Sequence, residues 1–340
     1  MNKNRDGIMA GGNFIRDYTR IIDEYPSEET LANILGIDSN NGGAAYNVLK
    51  DLAIAGATFP LAGIGMIGND ETGKEILRDC ENRHIDISRV SINEKMGTSF
   101  TDVMVVKSTG KRTFFHYRGA NALLGPEHFN FNHVSSRIFH FGYPLLLDKL
   151  DTIDEKGRTL ASHVLQAAAV SGLIVTMDLV SVNNDRFRDI VTSSLPFTDY
   201  LFLNEIEAEK LSGISLIADG NVSIPLARSS AEKILGLGVK NSVIIHFPAG
   251  CILRSRENFM VQGSILIPPG KIAGATGAGD AFASGFLYSL HENLSPDECL
   301  HAAVCMSASC LLHESCSGGI LPFDQCLALG KQYGFREMNG

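Results

Sequence analysis

Short runs of apolar, β-forming residues alternate with helical apolar patterns along nearly the whole 340-residue chain. The predicted strands are 7–12, 58–65, 138–141, 173–179, 200–203 and 242–246, and the predicted helices are about 44–56, 71–83, 152–171, 204–212, 229–237, 278–291 and 296–313. Strands that alternate with helices are typical of a mostly parallel sheet flanked by helices. The alternation therefore predicts an α/β fold.

Two regions interrupt this alternation. Residues 14–40 lack a clear core helix, and residues 98–118 form two strand-like runs, 98–107 and 113–118, around a turn. Hairpins inserted between βα units favour a small sheet beside the main one, placed as a lid over the carboxyl ends of the strands. We therefore expect residues 1–340 to form a single domain with lid segments at about 14–40 and 98–118.

Composition limits the partners and the compartment. The net charge is −9 with no run of Lys or Arg, which argues against nucleic acid and anionic membrane surfaces as partners. The N-terminal segment has no apolar signal core, and no uninterrupted apolar stretch approaches the length of about 18 residues that a membrane span needs. The seven cysteines form no CxxC pair, so we predict a reduced, cytoplasmic protein.

Residues 274–282 carry the most informative chemistry. Three small residues, Gly277, Ala278 and Gly279, precede Asp280 where a helix is predicted to begin. Backbone N–H groups at such a junction bind anions, assisted by the helix dipole. A carboxylate in an anion site indicates phosphoryl transfer, with the N–H groups holding the phosphate and Asp280 accepting the proton of the attacking hydroxyl. In the alternative, Asp280 merely complements the helix dipole.

Two other segments suggest a site for a polyol. Gly42 and Gly43 precede a long amphipathic helix that carries Asn47, and an asparagine side chain both donates and accepts hydrogen bonds. Asp17 lies just beyond the first predicted strand, where open α/β sheets bind their ligands, and its carboxylate can accept two sugar hydroxyls. The alternatives are an ordinary capped loop at the glycines and a turn residue at position 17.

Asn204 and Glu207 lie on one face of the first turn of a predicted helix. An amide and a carboxylate in this arrangement can organise the water shell of Mg²⁺ on a nucleotide. A capping box would explain the same pair. The G-x-G-x-x-G run at 63–68 does not indicate a dinucleotide site, because its third glycine does not open a helix.

Together these segments resemble the ribokinase-like, PfkB-type family of carbohydrate kinases, in the family's order and over nearly the whole chain. The glycine-rich signature matches residues 42–47, the N-x-x-E motif matches 204–207, and the final G-A-G-D matches 277–280. The resemblance implies a three-layer α/β/α fold with a β-sheet lid, ATP as phosphate donor, Mg²⁺, and homodimers that pair through their lids.

The resemblance also implies roles for single residues. Asp280 would be the catalytic base, with Gly277, Ala278 and Gly279 as the anion hole; Asn204 and Glu207 would serve the metal, through water, and the phosphates; Asp17, Gly42, Gly43 and Asn47 would hold the sugar; and Gly250 and Thr276 would contact the nucleotide. Two positions depart from the family pattern: Pro248 stands where the nucleotide loop often has glycine, and Gly274 where an aspartate often begins the last signature.

We therefore predict an ATP-dependent kinase that phosphorylates a hydroxymethyl group of a sugar. Arg118 lies where the lid meets the core, and a cation there favours an acid sugar or phosphosugar, whereas a neutral sugar or a nucleoside fits if Arg118 points elsewhere. Ribose, fructose, a keto-deoxy sugar acid and a nucleoside all remain open. The rival hypothesis is a non-catalytic sugar or nucleotide sensor, although such a sensor is expected to lose the base or the anion hole.

Overall fold

The computed structural model describes residues 5–338. The strands are β1 (Ile8–Gly12), β2 (Ile15–Ile22), β3 (Ile34–Gly42), β4 (Leu61–Gly68), β5 (Asp86–Asn93), β6 (Phe100–Val106), β7 (Arg112–Tyr117), β8 (Ile138–Gly142), β9 (Ile174–Asp178), β10 (Tyr200–Asn204), β11 (Ile217–Ala218), β12 (Asn221–Val222), β13 (Ser242–Phe247), β14 (Gly250–Ser255) and β15 (Phe259–Gly263). The helices are α1 (Ala44–Ile54), α2 (Glu71–Asn82), α3 (Leu160–Val170), α4 (Phe187–Thr192), α5 (Glu205–Ser212), α6 (Ile224–Gly236), α7 (Ala278–His291), α8 (Pro296–Cys310) and α9 (Phe323–Tyr333).

The main sheet is mostly parallel. Within residues 5–338 it has nine strands in the order β15-β14-β13-β10-β9-β8-β1-β4-β5, and its pairs from β13 to β5 are parallel. Strand β14 is antiparallel to both of its neighbours, β13 and the edge strand β15. Strand β1 lies inside the sheet, between β8 and β4, and all five of its residues are buried, as expected for a strand covered on both faces.

Helices cover both faces of the main sheet and form two apolar cores. Because successive side chains of a strand point to opposite faces, Ile244 of β13 packs in one core and Ile245 in the other. Residues of α3, α5 and α6 pack in the core that contains Ile245, and residues of α1, α2, α7, α8 and α9 pack in the core that contains Ile244. The result is a three-layer α/β/α arrangement, which confirms the predicted fold class.

A small second sheet stands beside the main one. In the described part of the chain it has the order β3-β2-β6-β7; the outer pairs are antiparallel, and β2 runs parallel to β6. The segments predicted as lid supply all four of these strands. Residues 40–42, predicted to lie near a helix start, form the end of β3, and α1 begins two residues later.

Several predicted boundaries were wrong. The helix predicted at 152–171 begins at Leu160, because the Thr159 hydroxyl caps it by accepting the Ser162 N–H at 3.1 Å. The preceding residues instead form a turn around Asp154, whose carboxylate accepts the N–H groups of nearby residues. The helix predicted from 229 begins at Ile224, and the sequence analysis missed α4, α9, β5, β14 and β15. Among the described residues, no helix is long and apolar enough to cross a membrane.

Candidate active site

The candidate residues meet where β1, β8, β9 and β10 reach their carboxyl ends, under the small sheet and beside the start of α7. A cavity of about 490 Å³ lies there. The main-sheet edge and the helices contribute Asn13, Gly43, Asn47, Tyr143, Asp178, Asn204, Glu207, Thr276, Gly277, Gly279 and Asp280 to its wall, and the small sheet contributes Asp17, Thr101, Arg112, Phe114 and His116. Most residues predicted for the site are thus brought together.

Asp280 lies in the first turn of α7 and is 3% exposed. Its Oδ2 accepts a hydrogen bond from the Asn47 amide at 2.8 Å, and its Oδ1 accepts one from the Tyr143 hydroxyl at 2.8 Å. Burial, followed by the negative charge of Asp178, raises the pKa of Asp280 to about 7, against the opposing effect of its two donors. A carboxyl group with a pKa near neutrality is well suited to accept a proton in a reaction.

The residues before Asp280 leave backbone donors free at the cavity wall. Gly277 has φ of 80°, and a Cβ there would lie 2.6 Å from the Cys316 carbonyl oxygen, so a larger residue cannot take its place. The first N–H groups of a helix lack partners within the helix. Because α7 begins at Ala278, the N–H groups of Gly279 and Asp280 are available to an anion.

Three residues paired across the small sheet form a polar row. Asp17 of β2 pairs with Thr101 of β6, which pairs with His116 of β7. Burial raises the pKa of Asp17 to about 6 although the Thr101 hydroxyl lowers it. Burial, followed by the charge of Arg118, lowers the pKa of His116 to about 4, so this histidine is neutral at pH 7.

Asn13 adds an unpaired amide to the same end of the cavity. It is fully buried, and neither its side-chain oxygen nor its nitrogen has a hydrogen-bond partner within residues 5–338. Buried amides normally have partners, so this one is available to a ligand. Gly42 lies behind Asp17, where any Cβ would overlap the carboxylate, and Gly43 has φ of 96° at the start of α1.

Asn204 and Glu207 form a capping box at the start of α5. The Asn204 N–H donates to Glu207 Oε2, and the Glu207 N–H donates to Asn204 Oδ1, each at 2.9 Å. The Ser181 hydroxyl also donates to Glu207 Oε1 at 2.9 Å. Burial raises the pKa of Glu207 to about 7. The capping interpretation is therefore correct for these contacts, while both side chains also line the cavity.

A second cavity of about 480 Å³ adjoins the first and shares Asn204, His246 and Gly279 with it. Its wall includes Pro248, Gly250 and Ala278, together with the apolar residues Ile265, Ile267, Ile272, Phe282, Val304 and Leu311. Pro248 and Ala249 form the two-residue turn between β13 and β14. Gly250 thus lies by the second cavity rather than the first.

The structure does not bring Arg118 to the cavity. Strand β7 ends at Tyr117, and Arg118 takes a helical conformation, with φ of −61° and ψ of −39°. Its guanidinium donates to the Leu145 carbonyl at 2.8 Å and lies 3.6 Å from Asp148. Arg112 lies on the cavity wall instead, and its guanidinium donates to the Thr276 hydroxyl.

The sequence analysis missed Asn13, Arg112, Tyr143 and Asp178. A signal was present for three of them, because Asn13, Tyr143 and Asp178 lie at or just after the carboxyl ends of predicted strands, as Asp17 does. Arg112 shares one face of β7 with Phe114 and His116, but the local sequence does not show which face of that strand meets the cavity.

Comparison with known proteins gives concordant results. The profile of the pfkB family carbohydrate kinases matches residues 7–322. Adenosine kinase 2 of Arabidopsis thaliana is 24% identical, over 92% of this chain and 96% of that protein. Ribokinase of Arabidopsis thaliana is 26% identical, over 74% of this chain and 62% of that protein.

Solved structures share the fold. Arabidopsis thaliana ribokinase, determined with ribose and ATP, has a TM-score of 0.78 at 20% identity, over 96% of this chain and 98% of that one. Ribokinase from Thermotoga maritima has a TM-score of 0.77 at 22% identity, over 95% and 99%. These likenesses confirm the predicted ribokinase-like architecture.

Proposed function

Because the chain belongs to the pfkB family of carbohydrate kinases, we propose that it transfers the γ-phosphoryl group of ATP to a hydroxymethyl group of an uncharged sugar or nucleoside. Family membership confirms the predicted class of reaction, phosphoryl transfer to a sugar or nucleoside hydroxyl. The identity of the acceptor and the roles of the residues are the proposal. The proposal rests on the position of Asp280. Its carboxylate lies between two side-chain donors and beside free N–H groups, where the two cavities adjoin.

The proposed chemistry uses Asp280 as general base. The acceptor hydroxyl forms a new bond to the γ-phosphorus while the bond from that phosphorus to the bridging oxygen of ATP breaks and ADP leaves. The hydroxyl proton passes to Asp280, whose pKa of about 7 suits it for this transfer. The N–H groups at the start of α7 stabilise the negative charge on the migrating phosphoryl group.

The charge of the cavity favours an uncharged acceptor. Asp17, Asp178 and Asp280 line it, and Asp17 and Asn13 can bond hydroxyl groups. Arg112 is held at the opposite side by Thr276, and His116 is neutral at pH 7 because of its low pKa. An acid sugar or phosphosugar would therefore meet carboxylates at the acceptor end, at an electrostatic cost.

The second cavity is our proposed site for the adenine base, because its apolar walls suit a flat ring. Mg²⁺ fits between the two cavities, where Asn204, Glu207 and Asp178 offer oxygen atoms; Asp178 Oδ1 accepts no hydrogen bond and lies 3.5 Å from His140 Nε2. Among the described residues no three acidic, histidine or cysteine side chains converge on one point, so binding through water fits best. When bound with ATP, Mg²⁺ neutralises charge on the phosphates.

We further propose a cytoplasmic homodimer. All seven cysteines are free and buried, which fits a reducing compartment. The small sheet exposes Ile34, Leu35 and Ile37 on β3 by 50–68% and Phe115 on β7 by 51%, an apolar surface suited to a second lid.

Native mass spectrometry should give about twice the 36.7 kDa chain mass. Ile37→Asp should yield monomers, whereas Val170→Asp, at a helix end remote from the lid, should not.

An acceptor panel tests the proposed function. ADP release is measured with Mg-ATP and D-ribose, D-fructose, adenosine, or a keto-deoxy sugar acid, against a no-acceptor control. We expect turnover with at least one neutral acceptor and at most weak turnover with the acid. Adenosine is the specific alternative to a free sugar, because Phe114 faces the cavity while 59% exposed and can stack on a base. Nucleotide binding without turnover of any acceptor would instead support a sensor.

A further inference from the structure

The turn that follows β8 has an unusual backbone. Tyr143 has φ of 57° and Leu145 has φ of 81°. Both values lie in the left-handed region, which residues other than glycine rarely adopt. Two such residues within three positions persist only where surrounding contacts hold them, and such strain is concentrated at functional sites.

Two charged side chains hold this turn. Asp151 accepts the Leu145 N–H at 2.9 Å with one carboxylate oxygen and the Leu147 N–H at 3.0 Å with the other. From the opposite side, Arg118 donates to the Leu145 carbonyl at 2.8 Å. Arg118 directly follows lid strand β7, so the turn is fastened both to the core and to the base of the lid.

The result of this arrangement is the position of the Tyr143 hydroxyl, which donates to Asp280 Oδ1 at 2.8 Å. We propose that Tyr143 is a positioning residue for the catalytic base, and that the strained turn, held by Asp151 and Arg118, keeps its hydroxyl on the Asp280 carboxylate. This inference rests on the proposed role of Asp280 as general base. It also gives Arg118 a role away from the acceptor.

The hydroxyl affects how readily Asp280 takes up a proton. The groups facing Asp280 are Asp17 on β2, Asn47 and Asp51 on α1, Tyr143 after β8, Asp178 on β9, Cys310 at the end of α8 and Cys316 in the loop after it, with Arg112 across the cavity. Burial and the neighbouring carboxylates raise the pKa of Asp280, whereas the donors Asn47 and Tyr143 lower it. Removal of the Tyr143 hydroxyl therefore raises this pKa, and the base is ionised only at higher pH.

The test is the pH profile of kcat/KM for Tyr143→Phe. The acceptor is whichever of D-ribose, D-fructose and adenosine the wild-type enzyme uses best. We expect the acid limb to move up by about 0.5–1 pH unit, the equivalent of one lost hydrogen bond, with activity at alkaline pH within about threefold of wild type. Tyr200→Phe is the matched control, because the Tyr200 hydroxyl bonds Asn241 at the far end of β10. Its profile should match wild type.

A uniform loss at every pH, with the acid limb in place and a wild-type melting temperature, would overturn the role of Tyr143. If wild type lacks an acid limb, or Asp280→Asn remains active, the proposed function fails rather than this inference alone. Arg118→Met should move the limb in the same direction and add no shift in the Tyr143→Phe background. Full additivity of the two shifts would disprove the link through the turn.

Discussion

At the scale of single residues, the acceptor end of the cavity depends on Asn13 and Asp17. Asn13 is fully buried and Asp17 is half-buried, and the neighbouring Thr101 hydroxyl lowers the pKa of Asp17 against the effect of burial. The pair offers three acceptor oxygens, two on the carboxylate and one on the amide, and one amide NH₂ donor to a substrate that would carry several hydroxyl groups. This arrangement supports the proposal that the acceptor is a neutral polyol.

Asp17→Ala is therefore expected to weaken use of the acceptor. Loss of charge-assisted hydrogen bonds should lower kcat/KM for the acceptor by ~10–100-fold, equivalent to ~1.5–3 kcal/mol, while KM for ATP stays unchanged. Steady-state kinetics with each substrate varied in turn provide the measurement. Asp102→Ala is the control, since Asp102 pairs with Arg20 instead. An increase in the KM for ATP with an unchanged acceptor KM would mean that the two sites are assigned the wrong way round.

Single residues also show where sequence reasoning ends. Asp280 was identifiable because small residues, an acid and a helical pattern occur together within nine residues. Arg118 was a reasonable candidate from its place between lid and core, but β7 stops one residue before it and its side chain turns away. The end of a short strand depends on its partners across the sheet, which local sequence does not specify.

At the scale of elements, strand β7 links the small sheet to the proposed phosphate site. Its Arg112 donates to the Thr276 hydroxyl, next to Gly277, although the two residues are 164 positions apart. Such a contact depends on how the lid lies over α7, so no local pattern predicts it. The interior strands of the main sheet were predictable because they are continuous apolar runs, whereas β5 at one edge and β14 and β15 at the other were missed.

Arg112→Met should lower kcat by ~10–100-fold, because a cation beside the anion site stabilises the charge on the phosphoryl group during transfer. The adjacent Lys111→Met serves as control, since Lys111 is exposed at the turn before β7. Initial rates at saturating acceptor and ATP are compared. A change confined to the KM of the acceptor, with kcat intact, would place Arg112 in acceptor binding instead.

At the scale of the whole molecule, the buried acidic groups of the site affect stability. Burial raises the pKa of Asp17 and Asp151 to about 6 and of Glu207 and Asp280 to about 7. The folded state thus holds protons that the unfolded chain has already released, and stability falls as pH rises through 6 to 7. Burial lowers the pKa of His116 and His246 to about 4, so these two groups make stability rise with pH. That rise is largely complete by pH 6.5.

The ligand-free protein should therefore melt at a lower temperature at pH 8 than at pH 6, by at least about 2 °C. Differential scanning calorimetry at fixed ionic strength provides the measurement. Asp280→Asn removes one of these ionisations, so the melting temperature of this variant should fall less between pH 6 and pH 8. A melting temperature that rises between pH 6 and pH 8 would show that these carboxyl groups are not held protonated by burial.

The proposed phosphoryl transfer depends on Asp280 as the general base. Its most direct test is the initial rate of ADP formation by Asp280→Asn at saturating Mg-ATP and acceptor, with ATP affinity measured in parallel. The amide keeps the size of the side chain and can still accept from Tyr143, but it cannot take the proton. We expect a rate lower by ~10²–10⁴-fold with ATP affinity unchanged. A variant that keeps more than about a tenth of the wild-type kcat would contradict it.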